Sequence, residues 1–194
     1  MNYINLSDSD VKGLVHEIIR QINSSRYKPD YIVGITRGGL IPAVMLSHYL
    51  QVPMHTLNVS LRDNALGPES NLWMAEDAFG YPKQERTVDD PSDVGSVLEA
   101  ASDLLELNDN YKNILIVDDI NDSGETFNWI MNDWQSGCLP NDPEWNNVWN
   151  VNVKFAVLVD NLSSKCRVKM DFVGREIDKQ ADDWLVFPYE SWWR

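Results

Sequence analysis

From Ser7 to Asn23, apolar side chains recur at Val11, Leu14, Val15, Ile18, Ile19 and Ile22. This three-and-four spacing predicts an amphipathic helix, and Ser7 with Asp10 has the form of a capping box at its start. A short apolar run, Tyr31 to Ile35, then predicts a buried strand. It stops at Thr36-Arg37-Gly38-Gly39, and Leu40 to Leu50 follows as a helix with Pro42 in its first turn, where a missing N–H costs little. Val52 to Leu61 predicts a second strand. Asn113 to Val117 predicts a third, stopped by Asp118-Asp119, and Thr126 to Trp134 predicts a helix. Val151 to Val159 and Met170 to Val173 supply a fourth strand and a short fifth. Strands alternating with helices in this way predict an α/β fold, doubly wound around a mostly parallel sheet of about five strands.

Two stretches break the rhythm. Residues 62–110 are rich in Gly, Pro and acid, with a helical patch at Val94 to Leu107, and residues 136–150 (SGCLPNDPEWNNVWN) form a polar insertion. Loops of such length in a small domain tend to be lids or mobile segments. The 194 residues otherwise suit a single domain spanning 1–194, with 62–110 as lid or insertion.

The chain has 30 acidic and 16 basic side chains, a net charge of −14. That balance repels phosphate polymers and anionic membrane surfaces, so neither nucleic acid nor membrane is an expected partner. A small phosphorylated ligand remains open to it, because local N–H groups and a metal can hold phosphate whatever the global charge. Hydrophobic residues make up 43%, enough for a core. Cys138 and Cys166 give no disulfide framework or metal spacing, and the histidines His16, His48 and His55 are scattered. With no apolar leader or span in view, the expected location is the cytoplasm.

The chemistry concentrates in Ile114 to Thr126, ILIVDDINDSGET. Two acids end an apolar strand and a turn of small and hydroxyl residues opens a helix, at the strand end where open α/β sheets bind ligands. Free N–H groups from Asp122 through Ser123, Gly124, Glu125 and Thr126 would converge at the helix's positive end, a phosphate site. Gly124 permits close approach, and the Ser123 and Thr126 hydroxyls add donors. Asp118 and Asp119 suit either a pair of vicinal hydroxyls or hydrated Mg²⁺. Phosphate beside diol-binding acids describes a ribose 5-phosphate site. The stretch lacks the GxxxxGK[ST] of a P-loop, and an EF-hand counted from Asp119 would end on Ile130 instead of Glu.

These residues resemble the signature of the type I phosphoribosyltransferases, an apolar strand, two acids and a D-[ST]-G-x-T loop that binds 5-phosphoribosyl-1-pyrophosphate (PRPP). The resemblance implies that Asp118 and Asp119 contact the ribose hydroxyls directly or through Mg²⁺. It implies that Asp122 accepts a proton from the base and that Ser123 to Thr126 cradle the 5-phosphate. Thr36-Arg37-Gly38-Gly39 looks like the family's pyrophosphate loop, with Arg37 on the leaving group and a cis peptide at Thr36–Arg37.

The tail Asp183-Trp184-Leu185-Val186-Phe187-Pro188-Tyr189-Glu190 resembles the base-binding segment of the short 6-oxopurine (hypoxanthine/xanthine-guanine) enzymes of bacteria and their viruses. There Trp184 would stack on the purine, Leu185 would offer backbone contacts, and Glu190 would join the Mg²⁺ site. An aromatic strand that only closes the core is the other reading of Trp184. Those enzymes usually carry a lysine after the fourth strand to donate to the purine O6, whereas here Asp160-Asn161 stands and the nearest lysine is Lys165. Lys165 reaching back, Asn161 donating, or a different base are the three ways to meet this departure. Ser60 and Arg62 could close over PRPP, or 62–110 could be a plain solvated loop. The implied activity is Mg²⁺-dependent phosphoribosyl transfer from PRPP to a purine by a homodimer or homotetramer in nucleotide salvage. A regulatory PRPP-binding protein on the same scaffold, or an enzyme for a pyrimidine, is the alternative.

Overall fold

A computed structural model describes residues 2–59, 70–80, 111–179, 183–190 and 192–193. Its main sheet has five parallel strands in the order β3-β2-β4-β5-β6. These are β2 (Tyr31–Ile35), β3 (Met54–Leu57), β4 (Ile114–Asn121), β5 (Val153–Asn161) and β6 (Phe172–Ile177). Helices α1 (Asp8–Ser24), α2 (Leu40–Leu50), α3 (Leu72–Phe79) and α4 (Glu125–Gly137) accompany them. A separate two-stranded parallel sheet joins β1 (Asn2–Asn5), at the N-terminus, to β7 (Asp183–Val186), near the C-terminus.

The period-2 alternation of each central strand divides its side chains between two cores. Val33, Ile35, Ile114, Ile116, Phe155 and Val157 face α3 and α4. Ile32, Leu115, Val117, Ala156 and Leu158 face α1, α2 and the tail. In α1, Val11, Val15, Ile18 and Ile22 are buried and the Ser7–Asp10 capping box is formed. Among the described residues, no helix is long and apolar enough to cross a membrane.

Several elements differ from the pattern-based expectation. Asp118-Asp119 does not stop the third strand. β4 runs on to Asn121 because Asp118, Ile120 and Asn121 continue the ladder with Val157, Val159 and Asp160 of β5. Val151 belongs to a π-helical turn, Val148–Asn152, and not to the following strand. Within 62–110, residues 70–80 carry α3, whose Met74, Ala75 and Ala78 are buried against the core. The helix expected at Val94 to Leu107 lies outside the described residues, as do Ser60 and Arg62.

Residues 136–150 carry buried apolar side chains among their polar ones. Trp145 is 2% exposed and Trp149 5%, and their rings stack 5.3 Å apart while Trp149 stacks on Phe155 of the sheet. The Trp145 indole N–H donates to the carbonyls of Cys138 and Leu139, which closes the segment on itself. Burial of two indoles supplies the apolar area that Asn, Asp and Pro neighbours conceal in a hydropathy profile. Trp145→Ala should therefore destabilise the fold by about 3–5 kcal/mol in urea titration, whereas a mobile lid residue would cost almost nothing.

Candidate active site

At the carboxyl end of the main sheet lies a cavity of about 760 Å³, within the usual range for small-molecule sites. Its floor is the end of β4, one wall is the turn into α4, a second is the β2–α2 turn, and β7 with the following 3₁₀ turn supplies a third. Five acids (Asp118, Asp119, Asp122, Glu125 and Glu190) and two basic side chains (Arg37 and Lys179) line it.

Gly124, at φ 84°, caps α4 in the left-handed region, and a Cβ there would run into the backbone of Cys166. Segment 164–167 buttresses this turn. Lys165 N–H donates to the Ser123 carbonyl (3.0 Å), and the Asn128 side chain donates to the Lys165 carbonyl (3.0 Å). The Glu125 N–H is capped by Ser123 Oγ, and the first turn of α4 directs its other N–H groups at the cavity. Opposite, the Thr36–Arg37 peptide is cis, as the resemblance implies. A Cβ on Gly38 would overlap the Asp119 carboxylate, and one on Gly39 would press on the Val117 and Ile35 carbonyls. The β2–α2 turn is thus packed directly onto the acidic floor, and α2 continues from it, with Ala43 N–H donating to the Gly39 carbonyl.

Asp118 is 9% exposed, and burial first, then the neighbouring Asp119 charge, pushes its carboxyl well above the ordinary aspartate value. Burial likewise pushes Asp119 up to about 6. The Tyr189 hydroxyl, donating to Asp119 at 3.2 Å, works against that rise, and the negative Glu190 adds to it. Glu190 itself accepts from the Phe187 N–H at 3.3 Å. Among the described residues, no three acidic, histidine or cysteine side chains are grouped to hold a metal. Asp118 and Asp119 are adjacent hard oxygen donors with Glu190 on the same cavity, a donor set that would suit Mg²⁺.

Asp122 accepts from Lys179 Nζ at 2.6 Å and from the Asn161 side-chain amide at 3.3 Å. Trp184, 40% exposed, and buried Leu185 reach the cavity from β7. Tyr3↔Trp184 and Ile4↔Leu185 pair β7 to β1, so the N-terminal residues hold this wall in place. Thr36, Arg37, Gly38, Asp118, Asp119, Asp122 to Thr126, Trp184, Leu185 and Glu190 all meet at the cavity, with Gly39 immediately behind. Lys165 does not. Its backbone stands behind the α4 turn and its side chain is absent from the cavity wall. Lys179 is the basic residue that the motif search missed. Its only sequence signal is a place five residues before Trp184.

The chain matches the phosphoribosyl transferase domain family over residues 6–191 and belongs to it. It is an enzyme of the phosphoribosyltransferase class. It is 22% identical to xanthine phosphoribosyltransferase 1 of Saccharomyces cerevisiae over 198 residues, covering 96% of this chain and 88% of that one. Its fold is similar to the purine phosphoribosyltransferase of Pyrococcus horikoshii (TM-score 0.59, 23% identity, 98% and 96% of the two chains). It is also similar to the xanthine-guanine-hypoxanthine phosphoribosyltransferase of Helicobacter pylori (TM-score 0.59, 18% identity, 98% and 95%).

The raised carboxyls make the unliganded protein pH-sensitive in a defined direction. An acid whose folded value exceeds its unfolded value of 3.8 favours folding below about pH 4, and that advantage is lost as pH rises to about 6 and beyond. Asp119→Asn should therefore raise the Tm of the metal-free protein relative to wild type at pH 8 and leave it unchanged near pH 3.5, measured by calorimetry.

Proposed function

We propose that this enzyme transfers the 5-phosphoribosyl group from PRPP to a 6-oxopurine, with Mg²⁺, in cytoplasmic nucleotide salvage. The observation that carries the reading is one cavity in which an anion cradle, a pair of acids, an arginine-glycine turn and an exposed indole meet at the end of the central strand. The kinship with enzymes named for xanthine, guanine and hypoxanthine supports the purine. Apolar side chains left in solvent on α2, Ile41, Val44 and Tyr49, support a homodimer or homotetramer.

In this reading the base nitrogen attacks the ribose C1 as the C1–O bond breaks, and the bonding pair leaves with pyrophosphate. The N–H groups and hydroxyls of Ser123 to Thr126 hold the 5-phosphate, and Asp118 and Asp119 orient the ribose hydroxyls and hold the metal together with substrate. Mg²⁺ supplies charge neutralisation for the pyrophosphate. Arg37 and the Gly38 and Gly39 N–H groups hold that leaving group. Asp122 takes the proton displaced from the base, and Trp184 with Leu185 aligns the ring for attack.

The test is pyrophosphate release from PRPP and Mg²⁺ with hypoxanthine, guanine, xanthine, adenine, uracil and orotate offered separately. Turnover with 6-oxopurines, abolished by chelator, is the expected result. PRPP binding without turnover on any base would favour a regulatory binder. Asp122→Asn should lower kcat by roughly 10²–10⁴-fold. Arg37→Ala should raise the KM for PRPP, and an unchanged PRPP affinity would remove Arg37 from the pyrophosphate site.

A further inference from the structure

The turn that opens α4 carries no cationic side chain. Asp122-Ser123-Gly124-Glu125-Thr126 offers an anion only N–H groups and hydroxyls, set among acids. A phosphate there depends on the direction in which those backbone dipoles point. Direction is set by what packs behind the turn, and segment 164–167 meets it at successive points. Ser164 Oγ donates to the Asn121 side-chain oxygen at 2.9 Å, and Lys165 N–H donates to the Ser123 carbonyl at 3.0 Å. A Cβ on Gly124 would come within 2.3 Å of the Cys166 nitrogen.

The segment is held in turn from the helix it supports. Asn128, in the first turns of α4, spends both ends of its carboxamide on two peptides of that segment. Its Nδ2 donates to the Lys165 carbonyl at 3.0 Å, and its Oδ1 accepts from the Arg167 N–H at 2.9 Å. The Arg167 guanidinium closes the clasp, donating to the Asn128 carbonyl at 3.0 Å and to the Asn132 side chain at 2.7 Å. Asn128 also donates its own N–H to the Gly124 carbonyl at 3.0 Å. One residue therefore holds the glycine of the turn directly and holds the segment packed behind it.

The geometry points to Asn128 as the positioning residue of the 5-phosphate cradle, acting through the Lys165 and Arg167 peptides. The assignment rests on the cradle reading of Ser123 to Thr126. Gly124 sits at φ 84°, a conformation that glycine leaves easily unless its surroundings confine it. With Lys165 pinned by Asn128, its N–H stays on the Ser123 carbonyl and Cys166 stays against Gly124. The N–H groups of the turn then hold their direction before phosphate arrives. Without the clasp those donors sample other directions, and ordering them again costs phosphate affinity. The opposite turn rests on different supports. Gly38 packs on Asp119 and Gly39 on strand carbonyls, so anion binding by Thr36 to Gly39 is independent of Asn128.

The experiment measures binding of two probes by calorimetry, ribose 5-phosphate and inorganic pyrophosphate, each with Mg²⁺, to wild type and Asn128→Ala. The variant should bind ribose 5-phosphate roughly 10-fold more weakly. Its pyrophosphate affinity should stay within about twofold of wild type, because that turn shares no partner with Asn128. Equal weakening of both probes would show a general loosening of the fold and overturn the assignment, as would unchanged affinity for both. Wild type binding ribose 5-phosphate no more tightly than ribose would overturn the cradle reading, and this assignment with it. If the alanine variant does not fold, Asn128→Gln decides. It keeps donor and acceptor on a longer arm that displaces the segment, so ribose 5-phosphate affinity should fall several-fold relative to pyrophosphate. An unaltered ratio would overturn the assignment.

Discussion

Two adjacent carboxylates carried to the buried end of the central strand set the terms for everything around them. Asp118 continues the β4–β5 ladder opposite Val157 with its side chain buried, and Asp119 follows it in the strand with burial pushing its carboxyl up. A carboxyl in that position is held away from ionisation unless donors or a cation offset the burial. The surroundings answer this point by point. Tyr189 donates to Asp119, the glycines of the β2–α2 turn give the carboxylate room, and the α4 turn brings a positive helix end alongside.

The same constraint explains why the two loops look as they do. Gly38 is small because the Asp119 carboxylate occupies the space of a Cβ, and Gly39 because the strand carbonyls do. Gly124 is required twice, by its positive φ and by the backbone of the 164–167 segment packed behind it. The β2–α2 loop is thus shaped by its fit against the acidic strand end, and the α4 loop by its fit against the 164–167 segment. The third wall depends on more distant parts of the chain. Among the described residues β7 has only β1 as a strand partner, and Asn2 adds a side-chain bond to Asp183. Trp184 and Leu185 at the cavity wall are thus stabilised by the opposite end of the chain.

Much of this was legible in the sequence, for a physical reason. Strand period, helix face, capping box and the strand–acid–acid–glycine order of Ile114 to Thr126 are local, and local geometry follows from neighbouring residues. The central sheet, the turn from β4 into α4 and the paired acids could be placed on that basis alone. Reading Asp118-Asp119 as a strand terminator failed because ladder pairing with β5 outweighs the low strand propensity of aspartate. Within 136–150, two tryptophans bury more apolar area than the surrounding polar residues suggest.

What the tertiary structure alone decided is contact across long separations. Lys179 meets Asp122 across 57 residues, and β1 meets β7 across nearly the whole chain. Neither leaves a periodic trace, since a single side chain reaching into a cavity has no spacing to detect. The sequence by itself determined the class of fold, the glycine turn into α4 and the acidic pair. Only the folded chain determined which basic residue faces the acid at the cavity wall, because that depends on where β6 and β7 bring their ends together.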